Sequence, residues 1–80
     1  MAKPTVSYDR AVQALYVRLS DKPYDHGRDL DEDRRIDYAA DGTPIGVEFL
    51  DVDQGVNLDN LPEHDAIAKA LEPFGLQLYA

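Results

Sequence analysis

The chain has 80 residues with 16 acidic and 8 basic side chains, a formal net charge of −8, and no cysteine. This length allows one domain at most, and the missing cysteines exclude a disulfide scaffold and a cysteine-based zinc site. The acidic balance argues against nucleic-acid binding by the chain alone. With no stretch of roughly 18 apolar residues and no secretory leader, we expect a cytoplasmic protein with no membrane contact.

The first two thirds of the chain predict β-strands. Leu15, Val17 and Leu19 share one face of a segment that alternates with polar residues, as in a half-buried strand. Asp41-Gly42 tolerates the positive φ of a tight turn and therefore predicts a hairpin between the last two strands. The predicted strands cover residues 5–8, 14–19, 24–30, 34–39 and 44–50, the third being a weak, charged edge strand.

After residue 51 the pattern changes, and the sequence predicts a helix over about residues 61–72. Asn60 can cap this helix, with Pro62 in its first turn and Glu63 at the capping-box position. Ile67 and Leu71 lie on the apolar stripe of the helix. Residues 76–79 are open to two interpretations, a short final strand or a docked tail.

These elements predict an α+β fold for a single domain of residues 1–80. The sheet is expected to be a four- or five-stranded antiparallel β-meander, with the C-terminal helix packed on one face because no other element is long enough to cover it. The predicted core contains Val6, Tyr8, Leu15, Val17, Leu19, Ile36, Tyr38, Ile45, Val47, Phe49, Ile67 and Leu71. Because a domain this small has a thin stability margin, a homodimer that covers the second face or an edge is consistent with the sequence.

Five sequence blocks stand out along the predicted strands: Tyr8-Asp9-Arg10, Ala14–Ser20, Ile36-Asp37-Tyr38, Asp41-Gly42 and Ile45–Glu48. Together they resemble a small prokaryotic family, the domain of unknown function family 2283, over about residues 6–51. The family's apolar character near Arg34-Arg35 is missing here. The resemblance implies a strand at residues 24–30 and brings no established activity and no catalytic residues. Some members have small toxin-like proteins as gene neighbours, which suggests an antitoxin-like role.

Two acidic stretches have the look of calcium loops, but the ligand pattern argues against both. An EF-hand needs glycine at its sixth position and a bidentate glutamate at its twelfth. A loop beginning at Asp29 would place Arg34 and Ala40 there, and a loop beginning at Asp51 would place Pro62 at the twelfth position. We therefore expect no metal site and no cofactor.

Two sets of residues are candidates for functional surfaces. Tyr16, Arg18 and Glu48 are expected together on the face opposite the core, either as a contact surface or simply as cross-strand pairs on a solvated sheet. A second set, Tyr24, His26 and Arg28, shares one predicted strand face and could line a groove. A histidine can act as a general acid or base, but His26 has no partner at a telling spacing, and a structural role is the commoner one.

The residues therefore predict a non-catalytic protein-interaction module, either dimeric or bound to a basic protein partner. The alternative is a small-ligand binder or enzyme with a site at a dimer groove near His26. A third hypothesis is a DNA-binding antitoxin, which the charge of −8 disfavours unless a partner supplies a basic surface.

Overall fold

The structure is a computed structural model that describes residues 4–80. Residues 1–3 of the expected domain lie outside the described residues. Short elements follow one another along the chain, joined by tight turns and by two 3₁₀ turns at Val52–Gln54 and Glu72–Phe74. The strands and helix are β1 (Thr5–Asp9), β2 (Ala14–Arg18), β3 (His26–Asp29), β4 (Arg34–Tyr38), β5 (Pro44–Phe49), β6 (Val56–Asn57), α1 (His64–Leu71) and β7 (Leu78–Tyr79).

Strands β1 to β5 form one five-stranded antiparallel sheet in the order β1-β2-β5-β4-β3. The predicted α+β class, a five-stranded antiparallel sheet with a C-terminal helix, is confirmed. The expected meander is wrong at one step, because β2 pairs with β5 and not with β3. Strand β5 is buried at four of its six residues, whereas β3 is exposed at three of four. The apolar strand therefore takes the centre of the sheet and the polar strand its edge.

The core lies between one face of this sheet and helix α1. Val17, Val47 and Ile67 are each fully buried there, and the register sets Val17 opposite Val47. Nine of the twelve predicted core residues are buried, and the other three are half-buried at the rim: Val6, Tyr8 and Tyr38. The prediction missed four buried residues in the connection to the helix: Val52, Val56, Leu58 and Leu61.

Helix α1 begins at His64 and not near residue 61, and the predicted Asn60 cap is wrong. Asn60 and Glu63 both have left-handed backbone angles, with φ of 61° and 51°. These two turns direct Leu61 into the core, where it is 7% exposed, so this segment cannot also form the first helical turn. No helix within residues 4–80 has the length and apolar character needed to cross a membrane.

The C-terminal segment forms a short strand, β7, which pairs in parallel with β6. The backbone N–H of Val56 donates to the carbonyl oxygen of Gln77 at 2.7 Å, and that of Leu58 donates to Tyr79 at 2.7 Å. This pairing places Leu78 against the core. Of the two interpretations of residues 76–79, the structure therefore has the strand.

Candidate interaction surfaces

The face of the sheet opposite α1 carries the polar residues that alternate with the core residues, and we call it the polar face. Tyr16 lies opposite Glu48 in the register of β2 and β5, and Arg18 lies opposite Gly46. The three residues predicted as a contact surface therefore share this face. A Cβ atom at Gly46 would overlap the hydroxyl and ring of Tyr16, so the glycine gives the ring room to lie flat across β5.

Tyr16 is held firmly in this position. Its hydroxyl donates to Oδ2 of Asp37 on β4 at 3.0 Å, and the guanidinium of Arg18 lies 5.8 Å from the ring centroid. Partial burial, followed by the hydrogen bond to Asp37, raises the pKa of Tyr16 to about 12. The hydroxyl therefore remains a neutral hydrogen-bond donor, which suits a fixed contact group.

Arg35 has a similar arrangement at the other side of the polar face. Its guanidinium lies over Gly27 of β3, where a Cβ atom would collide with it. It reaches Asp29 at 3.1 Å and Asp37 at 3.6 Å. Hydrogen bonding to Tyr24 and then to Asp29 raises the pKa of Arg35. The polar face is thus a flat layer of aromatic and guanidinium groups that rest on two glycines.

Beyond Arg35 the polar face runs into a cleft of about 270 Å³, which we call the acidic cleft. Five carboxylates and two guanidinium groups line it, and Leu50 at its margin is 42% exposed. Within residues 4–80, no group of three or more His, Asp or Glu side chains is arranged to hold a metal ion. The five carboxylates belong to Asp29, Asp31, Glu32, Asp33 and Glu48.

The carboxylates of the acidic cleft differ in their environments. Asp33 lies beside Asp51, and the hydrogen bond that the two carboxyl groups share raises the pKa of Asp33. Asp31 accepts hydrogen bonds from Arg34, and these lower its pKa. Crowding therefore disfavours the charged form of Asp33, whereas Asp31 is stabilised in its charged form.

Arg34 lies beneath the acidic cleft and is 7% exposed. Its Nε and Nη2 donate to Oδ2 of Asp31 at 2.9 and 2.7 Å, and its Nη1 donates to the carbonyl oxygens of Asn57 and Asp59. Arg34 was not among the predicted site residues. The available signal was its position, since Arg34 alternates with Ile36 and therefore faces the core.

The predicted groove of Tyr24, His26 and Arg28 does not form as one site. His26 pairs with Tyr38 and Arg28 with Ile36, so both lie on the core side of the sheet edge. Tyr24 precedes the strand, which begins at His26, and it is exposed. The alternation that aligned the three residues applies only inside a strand, so it does not place Tyr24 on the face shared by His26 and Arg28.

His26 is an exposed edge residue. Its ring stacks on Tyr38 with centroids 5.3 Å apart, and its Nδ1 lies 2.8 Å from Oδ2 of Asp25. A shallow groove of about 370 Å³ does include Arg28, with Leu61 and Pro62 on its far side, but neither His26 nor Tyr24 lines it. These contacts hold the His26 ring in place at the sheet edge, outside any groove that it was predicted to line.

Comparison with known proteins gives one family. Its model, described as "Protein of unknown function (DUF2283)", matches residues 5–52. No curated protein and no solved structure matches the chain. The matched region covers more than half of the chain and includes the whole large sheet with its polar face. The chain therefore belongs to the DUF2283 family of proteins of unknown function.

Proposed function

We propose that this protein is a non-catalytic interaction module that binds a basic segment of a partner protein at the acidic cleft and the adjoining polar face. The observation that carries the proposal is the lining of the cleft, in which five carboxylates face two guanidinium groups. One of those two, Arg34, is already buried and bonded to Asp31. The remaining excess of negative charge suits lysine or arginine side chains.

The neighbouring surface suits a peptide better than a lone cation. Leu50 is an exposed aliphatic side chain at the cleft margin, and Tyr16 and Arg18 lie flat on the polar face. Tyrosine and arginine are enriched among the residues that contribute most to protein interfaces. A basic segment with an apolar residue would contact both regions together.

The environments of the reactive side chains favour binding over catalysis. The Tyr16 hydroxyl is committed to Asp37 and its pKa is raised to about 12. His26 lies beside Asp25 on the core side of the sheet edge, and it does not line the acidic cleft. General acid–base chemistry needs a positioned donor and acceptor at one place, whereas these groups are separated and already bonded.

The net charge of −8 would attract a basic partner over a distance and raise the rate of encounter. A basic toxin-like protein encoded by a neighbouring gene is one partner of this chemistry, and it would make the module antitoxin-like. In either case binding should weaken as salt is added, because the attraction between exposed charges is screened.

A titration with synthetic peptides tests the proposal. The isotope-labelled chain is titrated, under NMR observation, with a short peptide of lysine and leucine and with the same peptide carrying glutamate for lysine. We expect the basic peptide to shift amide signals around Glu32, Glu48 and Leu50, and the acidic peptide to shift none. Absence of binding by the basic peptide, or shifts spread evenly over the surface, would contradict the proposal.

Two charge reversals separate the cleft from the general charge of the molecule. Glu32→Lys lies in the cleft and Asp21→Lys lies outside it, in the β2–β3 connection; both side chains are exposed. Each substitution changes the net charge equally. We expect Glu32→Lys to weaken peptide binding about tenfold, since it reverses a charge within a few ångströms of the bound cation, and Asp21→Lys to have a much smaller effect. Equal effects would show that only net charge matters.

A further inference from the structure

The outer edge of β1 is a strand edge without protection. In the sheet order β1 has a neighbour on one side only, so alternate residues of Thr5–Asp9 direct their N–H and C=O groups outward. None of these outward groups bonds to another backbone group within residues 4–80. Natural sheet edges usually carry lysine, an internal proline or a bulge that prevents pairing. The strand has none of these, and its register with β2 is continuous.

The opposite edge of the sheet is protected. Strand β3 has four residues, and three of them are His26, Arg28 and Asp29. By contrast, residues 4–8 contain no Asp, Glu, Lys or Arg in a chain in which these residues make up 30%. Strand β1 has one charged residue, Asp9 at its end, so it can approach another strand with less charge at the contact than β3 can.

We propose that two copies of this chain associate through antiparallel pairing of their β1 strands, forming one continuous ten-stranded sheet around a two-fold axis at Ser7. In this register Ser7 faces its own copy, Val6 faces the partner's Tyr8, and Thr5 faces the partner's Asp9. Val6 and Tyr8 are half-buried on the core side of the sheet edge. Each pair would thus join an aromatic and a β-branched side chain, a favourable cross-strand combination.

Charge complementarity on the polar face argues for a second copy as the occupant. Within one protomer Thr5 lies opposite Arg18, so the register sets Arg18, Thr5 and the partner's Asp9 in one row across three strands. Strands in a sheet are about 4.8 Å apart, which places the two charged residues about 10 Å apart at their Cα atoms. An extended arginine side chain bridges this span.

Neither charged group of this row has an ion-pair partner in the protomer within residues 4–80. The two-fold axis makes the Arg18–Asp9 pair twice. The two Asp9 carboxylates lie about 14 Å apart along the strands, beyond the screening length of about 8–10 Å. Strand β1 is thus its own complement in charge as well as in shape, which an unrelated strand would match only by chance.

The two proposals share Arg18 on the polar face, but the acidic cleft contains no residue of β1, so association through β1 and peptide binding at the cleft can be measured separately. Sedimentation equilibrium of the full chain, from micromolar to millimolar concentration, measures the association. We expect a reversible dimer whose dissociation constant rises at least tenfold in Ser7→Lys, since that change places two like-charged side chains directly opposite each other at the axis, on Cα atoms about 5 Å apart. Ala40→Lys, an exposed change of equal charge in the β4–β5 turn, is the matched control.

A charge exchange tests the register. Arg18→Asp alone should weaken the dimer, and Arg18→Asp combined with Asp9→Arg should restore it. Hydrogen exchange of the unaltered chain gives a second measurement, in which alternate amides of β1 become protected as concentration rises. A monomer at every concentration, equal effects of Ser7→Lys and Ala40→Lys, or no recovery in the double variant would overturn the proposal. Peptide binding by monomeric Ser7→Lys would leave the proposed function standing.

Discussion

Arg34 is the buried charge that joins the sheet to the segment before α1, and its replacement by alanine should be strongly destabilising. The substitution removes two donors from Asp31 and one shared donor from the carbonyl groups of Asn57 and Asp59. Hydrogen bonds to charged groups contribute about 1.5–3 kcal/mol each, and a stranded acceptor costs a further 1–3 kcal/mol where water cannot reach it.

The exposure of the groups that Arg34 contacts makes the loss of stability smaller than these contributions added together. Asp31 is 44% exposed at its side chain, so its carboxylate can be rehydrated, and Asp59 is also exposed. We therefore expect Arg34→Ala to lower the free energy of unfolding by about 3 kcal/mol, at the lower end of the range for breaking a buried ion pair. For a domain of this size, that loss lowers Tm by roughly 12–24 °C.

Urea unfolding followed by far-UV circular dichroism measures this loss, with tyrosine fluorescence as a second probe because the chain lacks tryptophan. Arg35→Ala is the matched control, since the next arginine is 41% exposed and its ion pairs are on the surface. Arg34→Lys should give an intermediate loss, because an ammonium group cannot reproduce the fork of the guanidinium. A loss below about 1 kcal/mol for Arg34→Ala, or one equal to that of Arg35→Ala, would refute this account of the contact.

Three further predictions concern titrating groups. In a spectrophotometric titration one tyrosine of the five should ionise late, at a pKa of about 12, and Tyr16→Phe should remove that late step. Proximity to Asp51 raises the pKa of Asp33, so the charged form of Asp33 destabilises the fold at neutral pH. Asp33→Asn should therefore raise Tm at pH 7. This gain in Tm should vanish as the pH falls through the raised pKa of Asp33. Arg34 lowers the pKa of Asp31. The charged Asp31 therefore contributes to stability above the unfolded pKa of about 4, and this contribution is lost as the pH falls below that value. Asp31→Asn should flatten the acid limb of the plot of stability against pH.

Alternation of polar and apolar residues predicted the sheet because each strand has one face in water. The pattern indicates which face a residue such as Leu15 or Val47 occupies, and both are buried as expected. It carries no information about which strand is the neighbour. Strands β2 and β5 pair with each other because both are largely buried. This shared burial is visible only when the apolar content of all five strands is compared.

The connection between β5 and α1 could not be predicted in the same way. Val56, Leu58 and Leu61 are buried. Val56 and Leu58 have the two-residue spacing of a strand, but Leu61 follows three residues later, so no single period covers all three. Their direction is set by turns at Asp51 and Asn60, two residues with left-handed backbone angles. Asparagine and aspartate tolerate this conformation, but their presence in a sequence is equally compatible with a helix cap.

Part of the candidate surface was predictable and part was not. Tyr16, Arg18 and Glu48 share the polar face because all three lie inside regular strands. The acidic cleft arises where the β3–β4 turn meets the ends of β3, β4 and β5. Four of its five carboxylates lie in the acidic stretch of residues 29–33, but no local pattern shows that Glu48 joins them. Arg34 was the detectable exception, since a charged residue at a core-facing position requires a partner.

The position of the Tyr16 ring over Gly46 allows a test of whether Tyr16 is held in place on the polar face. Gly46 has no positive φ, so alanine fits its backbone and would be favoured over glycine in a strand by roughly 0.5–1 kcal/mol. In the unaltered chain, however, the new methyl group would collide with the ring and hydroxyl of Tyr16. Gly46→Ala should therefore displace the ring and break its hydrogen bond to Asp37.

A double-mutant cycle isolates this contact. We expect Gly46→Ala to destabilise the unaltered chain and to stabilise the Tyr16→Ala variant, with a coupling energy of about 1–2 kcal/mol, from the lost hydrogen bond and the strand preference together. Effects that add to within about 0.3–0.5 kcal/mol would mean that the two residues do not interact. The ring would then be free to leave the sheet, and a fixed Tyr16 could no longer be part of the contact surface.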